Sequence, residues 1–170
     1  MQLETLEELY THMQWADASV WHAVRVSEDA TADETVRELF YHLHLVQHAF
    51  LRAWRGESPT QPYSKFDDSQ SVMNWGQEYY SQIPTHFQTL TDESVQKTMQ
   101  LPWAEIVTRE LGCDPARITI GEAMLQVPLH SQYHRGQINA RLRAVGGKPP
   151  RVDYIVWLWL ERPAPDWSFV

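Results

Sequence analysis

The sequence predicts an all-α protein, a bundle of four long helices followed by a short fifth, and three observations carry that prediction. Apolar residues recur at helical spacing over long stretches. The same start signal opens three segments: Thr5-Leu-Glu-Glu8, Thr31-Ala-Asp-Glu34 and Thr119-Ile-Gly-Glu122. In each, a Thr hydroxyl and a Glu three residues later can satisfy each other's unpaired backbone N–H groups. Glycines and prolines gather where those stretches end, as in Gly146-Gly147 with Pro149-Pro150 beyond.

The first helix is expected from about Leu6 to Val26, with Leu9, Met13, Ala16, Val20 and Val24 as its apolar stripe. The second runs from about Ala32 to Trp54, with Val36, Leu39, Phe40, Leu43, Val46 and Phe50 on its core face, and Gly56 ends it. Residues 57–67 read as a loop, because Ser58, Pro59, Thr60, Gln61 and Pro62 follow neither period. A third helix starts near Ser69 and aligns Val72, Trp75, Tyr79 and Ile83; Pro84 breaks it, kinks it or opens a further turn. Residues 95–118 are the least regular, with Val95–Leu101 and Ala116–Ile118 as short strands pairing near one end of the bundle. The fourth long helix spans about Ile120 to Val145. Asp153 then caps a short helix from Tyr154 to about Glu161, ended by Pro163.

A chain of 170 residues is expected to form a single domain over 1–170, with one sizeable core. Formal charge is −8 and no basic stripe is present, which argues against nucleic-acid binding. Cys113 is the only cysteine, so no intrachain disulfide forms. No basic-then-apolar leader opens the chain and no apolar run reaches the ~18 residues of a membrane span, so the expectation is a soluble, cytoplasmic protein. Eight Trp is a high count, consistent with a thick core, an apolar pocket or a dimer surface.

His130 and His134 carry the most chemistry. Imidazoles four apart on a helix project from one face, as two ligands of one metal ion do. At about 100° per residue, His130, His134, Gln137 and Arg141 share a narrow stripe. Leu125, Leu129, Tyr133 and Ala140 flank it on one side and Ile138 on the other, so the stripe is expected to face protein. Pro128 cannot donate to the Met124 carbonyl, which predicts a kink just before His130. On the second helix His42 lies roughly 70° from the centre of the apolar face and edges the core. It is the better third ligand. His44 and His48 have the same spacing on the far side and read as solvated or as part of a dimer surface. His12, His22 and His86 have no partner at ligand spacing. Three imidazoles suit zinc, nickel, copper or iron alike, and they leave positions for water or substrate. Gln137 could orient a ligand imidazole or bound water. Arg141 could hold an anionic substrate or pair with a neighbouring helix. Cys113 is a nucleophile candidate only if it approaches this site.

The segment His130-Ser-Gln-Tyr-His134-Arg135-Gly136-Gln137-Ile138 resembles the His-x-x-x-His-Arg-Gly-Gln-[Ile/Val] signature of the DinB/YfiT-like metalloprotein superfamily. Gln14-Trp15-Ala16-Asp17 is similar to the family's Trp-Ala-Asn, and His42 through Phe50 to its His followed eight residues later by an aromatic. Pro149-Pro150-Arg-Val-Asp153-Tyr154 fits its C-terminal transition. The likeness covers essentially the whole chain. It implies an up-down-down-up four-helix bundle, often dimeric, with His42, His130 and His134 holding nickel or zinc. Relatives include transferases and isomerases that use small thiols. Two departures stand out: Gln47 replaces an acidic residue found in many members, and a shifted register would make His44 the ligand.

The reading that results is a metal-dependent enzyme with an open three-histidine site, catalysing thiol transfer or hydrolysis on a small molecule. The rival is a non-catalytic metal-binding or stress-response module. Eight Trp and the pair His44 and His48 point to a homodimer packed partly through bundle helices.

Overall fold

The computed structural model describes residues 2–57, 63 and 65–168, and these are mostly helical. Most of the expected loop at 57–67 lies outside the described residues. The elements in order are α1 (Leu3–Arg25), α2 (Glu28–Ala32), α3 (Glu34–Trp54), α4 (Ser69–Phe87), a 3₁₀ turn (Ser94–Gln96), β1 (Thr98–Met99), α5 (Ala104–Leu111), β2 (Ile118–Thr119), α6 (Ile120–Ala144) and α7 (Tyr154–Trp159). Four of the helices are long. α6 packs against α1 and α3, α3 also packs against α4, and α4 touches α1.

Of the three expected capping boxes, only that of α6 forms. Thr119 Oγ1 accepts from Glu122 N at 3.1 Å, and Thr119 N donates to Glu122 Oε2 at 2.7 Å. Thr5 lies inside α1, which starts earlier because Asp92 accepts from the Leu3 N–H at 2.7 Å. Thr31 is drawn into α2, where its hydroxyl donates to Val24 O at 2.9 Å. Asp33 takes over as the N-cap of α3 and accepts from Val36 N at 2.9 Å. A nearby better acceptor displaced the Thr in both cases. α4 runs through Pro84 to Phe87. α7 has Asp153 at its N-cap position, but the carboxylate makes no capping bond.

The two expected strands do pair antiparallel, Thr98 with Thr119 and Met99 with Ile118, but over two residues each, since Ser94–Gln96 turns as a 3₁₀ helix and the second strand starts only at Ile118. Between them lies α5, which periodicity did not reveal. None of its residues is buried, although Val107 and Leu111 share one face, and Gly112 at φ 69° ends it in a left-handed cap.

The core has two halves. One gathers Trp21, Val24, Phe40, Leu43, Met73, Ile138, Leu142 and Trp157. The other gathers Leu6, Met13, Phe50, Tyr79, Val95, Met124 and Val127. Three of the long helices pass from one half to the other at a buried polar residue: Asp17 on α1, Gln47 on α3, and Ser131 with Arg135 on α6. No helix of the described residues is long and apolar enough to cross a membrane.

Two imidazoles away from the histidine site also sit in this interior. His48 stacks on Trp75 and meets its carbonyl at 2.9 Å; His86 stacks on Trp54, and its Nε2 has no hydrogen-bond partner among the described residues. Burial lowers each to about 4. Both therefore bind a proton more readily in the unfolded chain, whose imidazoles titrate near 6.5. Their contribution is complete above about pH 6.5 and is lost as pH falls toward 4. The urea midpoint should fall across that window. His86→Phe, which keeps the stacking and removes the titration, should flatten the fall by an amount on the order of 1–3 kcal/mol.

Candidate metal centre

α6 brings His130 and His134 to one face, and α3 brings His42 to meet them. Ring centroids lie 4.3 Å apart for His130 and His134, 4.5 Å for His42 and His134, and 5.5 Å for His42 and His130. One nitrogen from each ring lies within 4.8 Å of the other two, a grouping that could hold a metal ion. His134 is buried, His130 half-buried and His42 exposed, so the cluster opens outward on the α3 side.

The ring nitrogens are set up unequally. His134 Nδ1 lies 2.7 Å from Gln137 Oε1, an acceptor, so Nδ1 carries the proton and Nε2 keeps its lone pair. Among the described residues, His130 Nε2 is buried without a hydrogen-bond partner. A buried polar atom left unpaired is costly, and a metal ion would relieve that cost. Burial first, then the imidazoles of His134 and His42, lower His130 to about 4. Burial and His134 lower His42. His130 and His42 thus favour the neutral imidazole, the form that ligates.

Arg141 lies on the same stripe but is engaged elsewhere. Its guanidinium makes a bidentate pair with Asp33, at 3.1 Å from Nε and 2.6 Å from Nη2. Of the two alternatives open in the sequence, the structure displays the interhelix ion pair. The apolar flank beside the stripe is not covered as expected: Leu129 is 59% and Tyr133 65% exposed. Only the Ile138 side faces the core.

His44 and His48 were expected to be solvated or at a dimer surface, and both are buried. α4 covers that side of α3, through Trp75 against His48 and Gly76 against His44. A Cβ at position 76 would come within 2.4 Å of the His44 ring, so only glycine allows the approach. The support that this pair lent to dimerisation is removed. His44 Nε2 accepts from Trp21 Nε1 at 3.0 Å, which leaves Nδ1 to donate to Gln47 Oε1 at 2.8 Å. Both its nitrogens are used inside the protein, and His44 is outside the three-histidine cluster.

Gln47 passes this chain of donors on. Its Nε2 donates to Asp17 Oδ2 at 2.9 Å and lies 3.2 Å from Ser131 Oγ. The Tyr80 hydroxyl also donates to Asp17 Oδ2, and Arg135 Nη1 donates to Oδ1 at 2.7 Å. Gln47 must accept from His44 and donate to Asp17 at once, which an ionised acidic residue could not do. The departure at this position is thereby accounted for. Ser131 and Arg135 each follow a cluster histidine by one residue, so the network fixes the rotation of α6 that presents His130 and His134.

Sequence reasoning marked Asp17, Gln47 and Arg135 only as parts of motifs and missed Tyr80 and Ser131. The available signal was that each histidine of α6 is followed at once by a residue able to hydrogen-bond inward. Cys113 is exposed in the loop after α5 and is not part of the cluster. His12 meets the Val152 carbonyl at 3.0 Å, a structural contact.

A family model, that of the DinB family, matches residues 1–166. A search of the curated proteins finds no match.

Removing one partner of a buried ion pair leaves a charge in the interior, at about 3–5 kcal/mol. Asp17→Ala should destabilise by that amount in urea unfolding. The double variant Asp17→Leu, Arg135→Met should recover part of the loss. A single-variant cost below about 1 kcal/mol would contradict the role of the pair as the anchor of α6.

Proposed function

The chain belongs to the DinB family, and on that premise we propose that His42, His130 and His134 hold one divalent transition metal, nickel or zinc, in an up-down-down-up four-helix bundle. The observation that carries this reading is the convergence of three imidazoles, one of which, His130, keeps a buried Nε2 without a hydrogen-bond partner among the described residues. The hydrogen bond from His134 to Gln137 supports it, since ligand imidazoles are held by such a contact on the other nitrogen.

We further propose that the protein is a metal-dependent enzyme acting on a small molecule, by thiol transfer or hydrolysis. Three protein ligands leave coordination positions open, the pattern of catalytic sites. Bound there, the metal would supply Lewis acidity, lowering the pKa of a thiol or water and polarising a carbonyl. The chain's own groups do the rest. Gln137 fixes the tautomer and tilt of His134. The cluster is open to substrate on the side of His130 and His42, and the buried side of His134 keeps water from the far side. Arg141 is held by Asp33 and is not assigned to the substrate.

A homodimer is also proposed, on different grounds from the histidine pair. Tyr154, Ile155, Trp159 and Leu160 expose apolar area together on and just after α7, as surfaces joined in a dimer do. Sedimentation at tens of micromolar should show twice the 19.9 kDa chain mass; a monomer there refutes this part.

Metal analysis of untagged protein should find about one nickel or zinc per chain. Replacing His130 or His134 by Ala should abolish stoichiometric binding. His44→Gln should retain it. Loss of metal in His44→Gln with full metal in His42→Ala would make His44 the third ligand and overturn the assignment of His42. A metal-loaded protein that turns over no thiol or ester substrate would favour the non-catalytic reading.

A further inference from the structure

A cleft of about 1070 Å³ lies against the histidine cluster, and His130 belongs to both. Its walls include Ala49 and Phe50 on α3, Met99 on β1, Trp103 and Val107 at α5, Ile118 on β2, and Ala123 with His130 on α6. The volume is at the upper end of small-molecule sites, which span roughly 300–1,000 Å³. Such a space needs an occupant with matching walls. Most of the lining is apolar, and the carboxylate of Glu122, one of its polar members, is taken up by the capping box. At the end nearest the cluster stands His130, with its buried Nε2 unpartnered among the described residues.

The form of α5 fits the same picture. It is a short helix with no buried residue, yet it carries Ile106, Val107 and Leu111 exposed. Trp103 and Val107 line the cleft without enough protein opposite them to bury them. Apolar groups in that position gain from a ligand that removes them from water.

Building on the metal-site reading above, we propose that the substrate has an extended aliphatic body, which lies in this cleft, and a polar reacting head at His130. Gln100, Arg117 and Gln126 add a few polar groups to the lining, but most of the wall offers a highly polar body, such as a sugar-linked thiol, no partner for the hydration it would lose. The substrate class is therefore an amphiphile: an alkyl or acyl chain ending in a thiol, ester or amide.

The test uses the full chain loaded with nickel or zinc and a series of alkyl hydroxamates, from acetohydroxamate upward, whose head chelates metal. Affinity should rise about fourfold per added methylene until the cleft is full. Ala49→Trp, which fills the cleft, and Val107→Asp, which charges its wall on a surface helix, should remove the chain-length dependence while metal content stays unchanged. Val107→Asp carries the test if Ala49→Trp fails to fold. A parallel series of 1-alkanols on metal-free protein, followed by tryptophan fluorescence, reads the cleft without the metal. Hydroxamates that bind with no dependence on chain length overturn the aliphatic body and leave the metal site standing. Protein that takes up no metal, yet binds longer alkanols more tightly, overturns the placement of the head at a metal and retains the cleft as the site of the body. Flat responses in both series overturn the proposal entirely.

Discussion

The pair of Asp17 and Arg135 is the interaction on which the rest depends. Both side chains are almost fully removed from water. An isolated charge there would be prohibitively expensive, so each requires the other. The pair spans α1 and α6, and Gln47 and Tyr80 bring α3 and α4 to the same carboxylate. One acceptor thus collects donors from all three of the other long helices. Apolar packing above and below can slide by small amounts at modest cost, since methylene contacts are non-directional. Hydrogen bonds converging on two oxygen atoms cannot. The two core halves supply the bulk of the stabilisation, and the polar layer between them fixes how the helices are rotated.

That layer explains why the histidine cluster needs so few residues of its own. A helix that turns Ser131 and Arg135 inward has its preceding residues, His130 and His134, offset by about 100° toward α3. Their direction is a by-product of the anchoring. His44 performs the equivalent service on α3: with its ring held between Trp21 and Gln47, His42 two residues earlier falls on a different face, toward α6. The same residue type thus has two duties on one helix. One imidazole is consumed by the interior and one is left with a nitrogen to offer.

Much of this was legible in the sequence, for identifiable reasons. The long helices were visible because their apolar stripes repeat over many turns, and the paired strands because their ends are marked by the break before α6. His130, His134 and Gln137 were visible because residues on one stripe of one helix need no knowledge of the rest of the fold. His42 required only the phase of α3 relative to its core. The errors came where a second element intervened. His44 and His48 point away from the expected apolar face of α3, and the packing of α4, with Trp21 of α1 against His44, makes that side interior. Thr5 and Thr31 had the right local chemistry for capping, but Asp92 and Asp33 offered competing acceptors, one of them from far along the chain. α5 went unseen because its eight residues are too few turns for the spacing of Val107 and Leu111 to stand out. Leu129 and Tyr133 were misplaced because apolar composition alone does not say whether a neighbour covers a flank.

The bidentate contact of Arg141 with Asp33 acts as the zero mark of a ruler. Asp33 begins α3 and Arg141 lies in the last turn of α6, so the contact pins the end of one helix to the start of the other. From that mark His42 lies nine residues along α3, about 13 Å, and His134 seven residues back along α6, about 10 Å. The two helices run antiparallel, so both distances are measured in the same direction. The remaining difference is about 3 Å, small enough for imidazole side chains to bridge. Spacing between clamp and ligand is therefore under a constraint separate from residue identity. One residue inserted between Asp33 and His42 would move the ring by about 1.5 Å and turn it by about 100°, dispersing the cluster with all three histidines still in the chain.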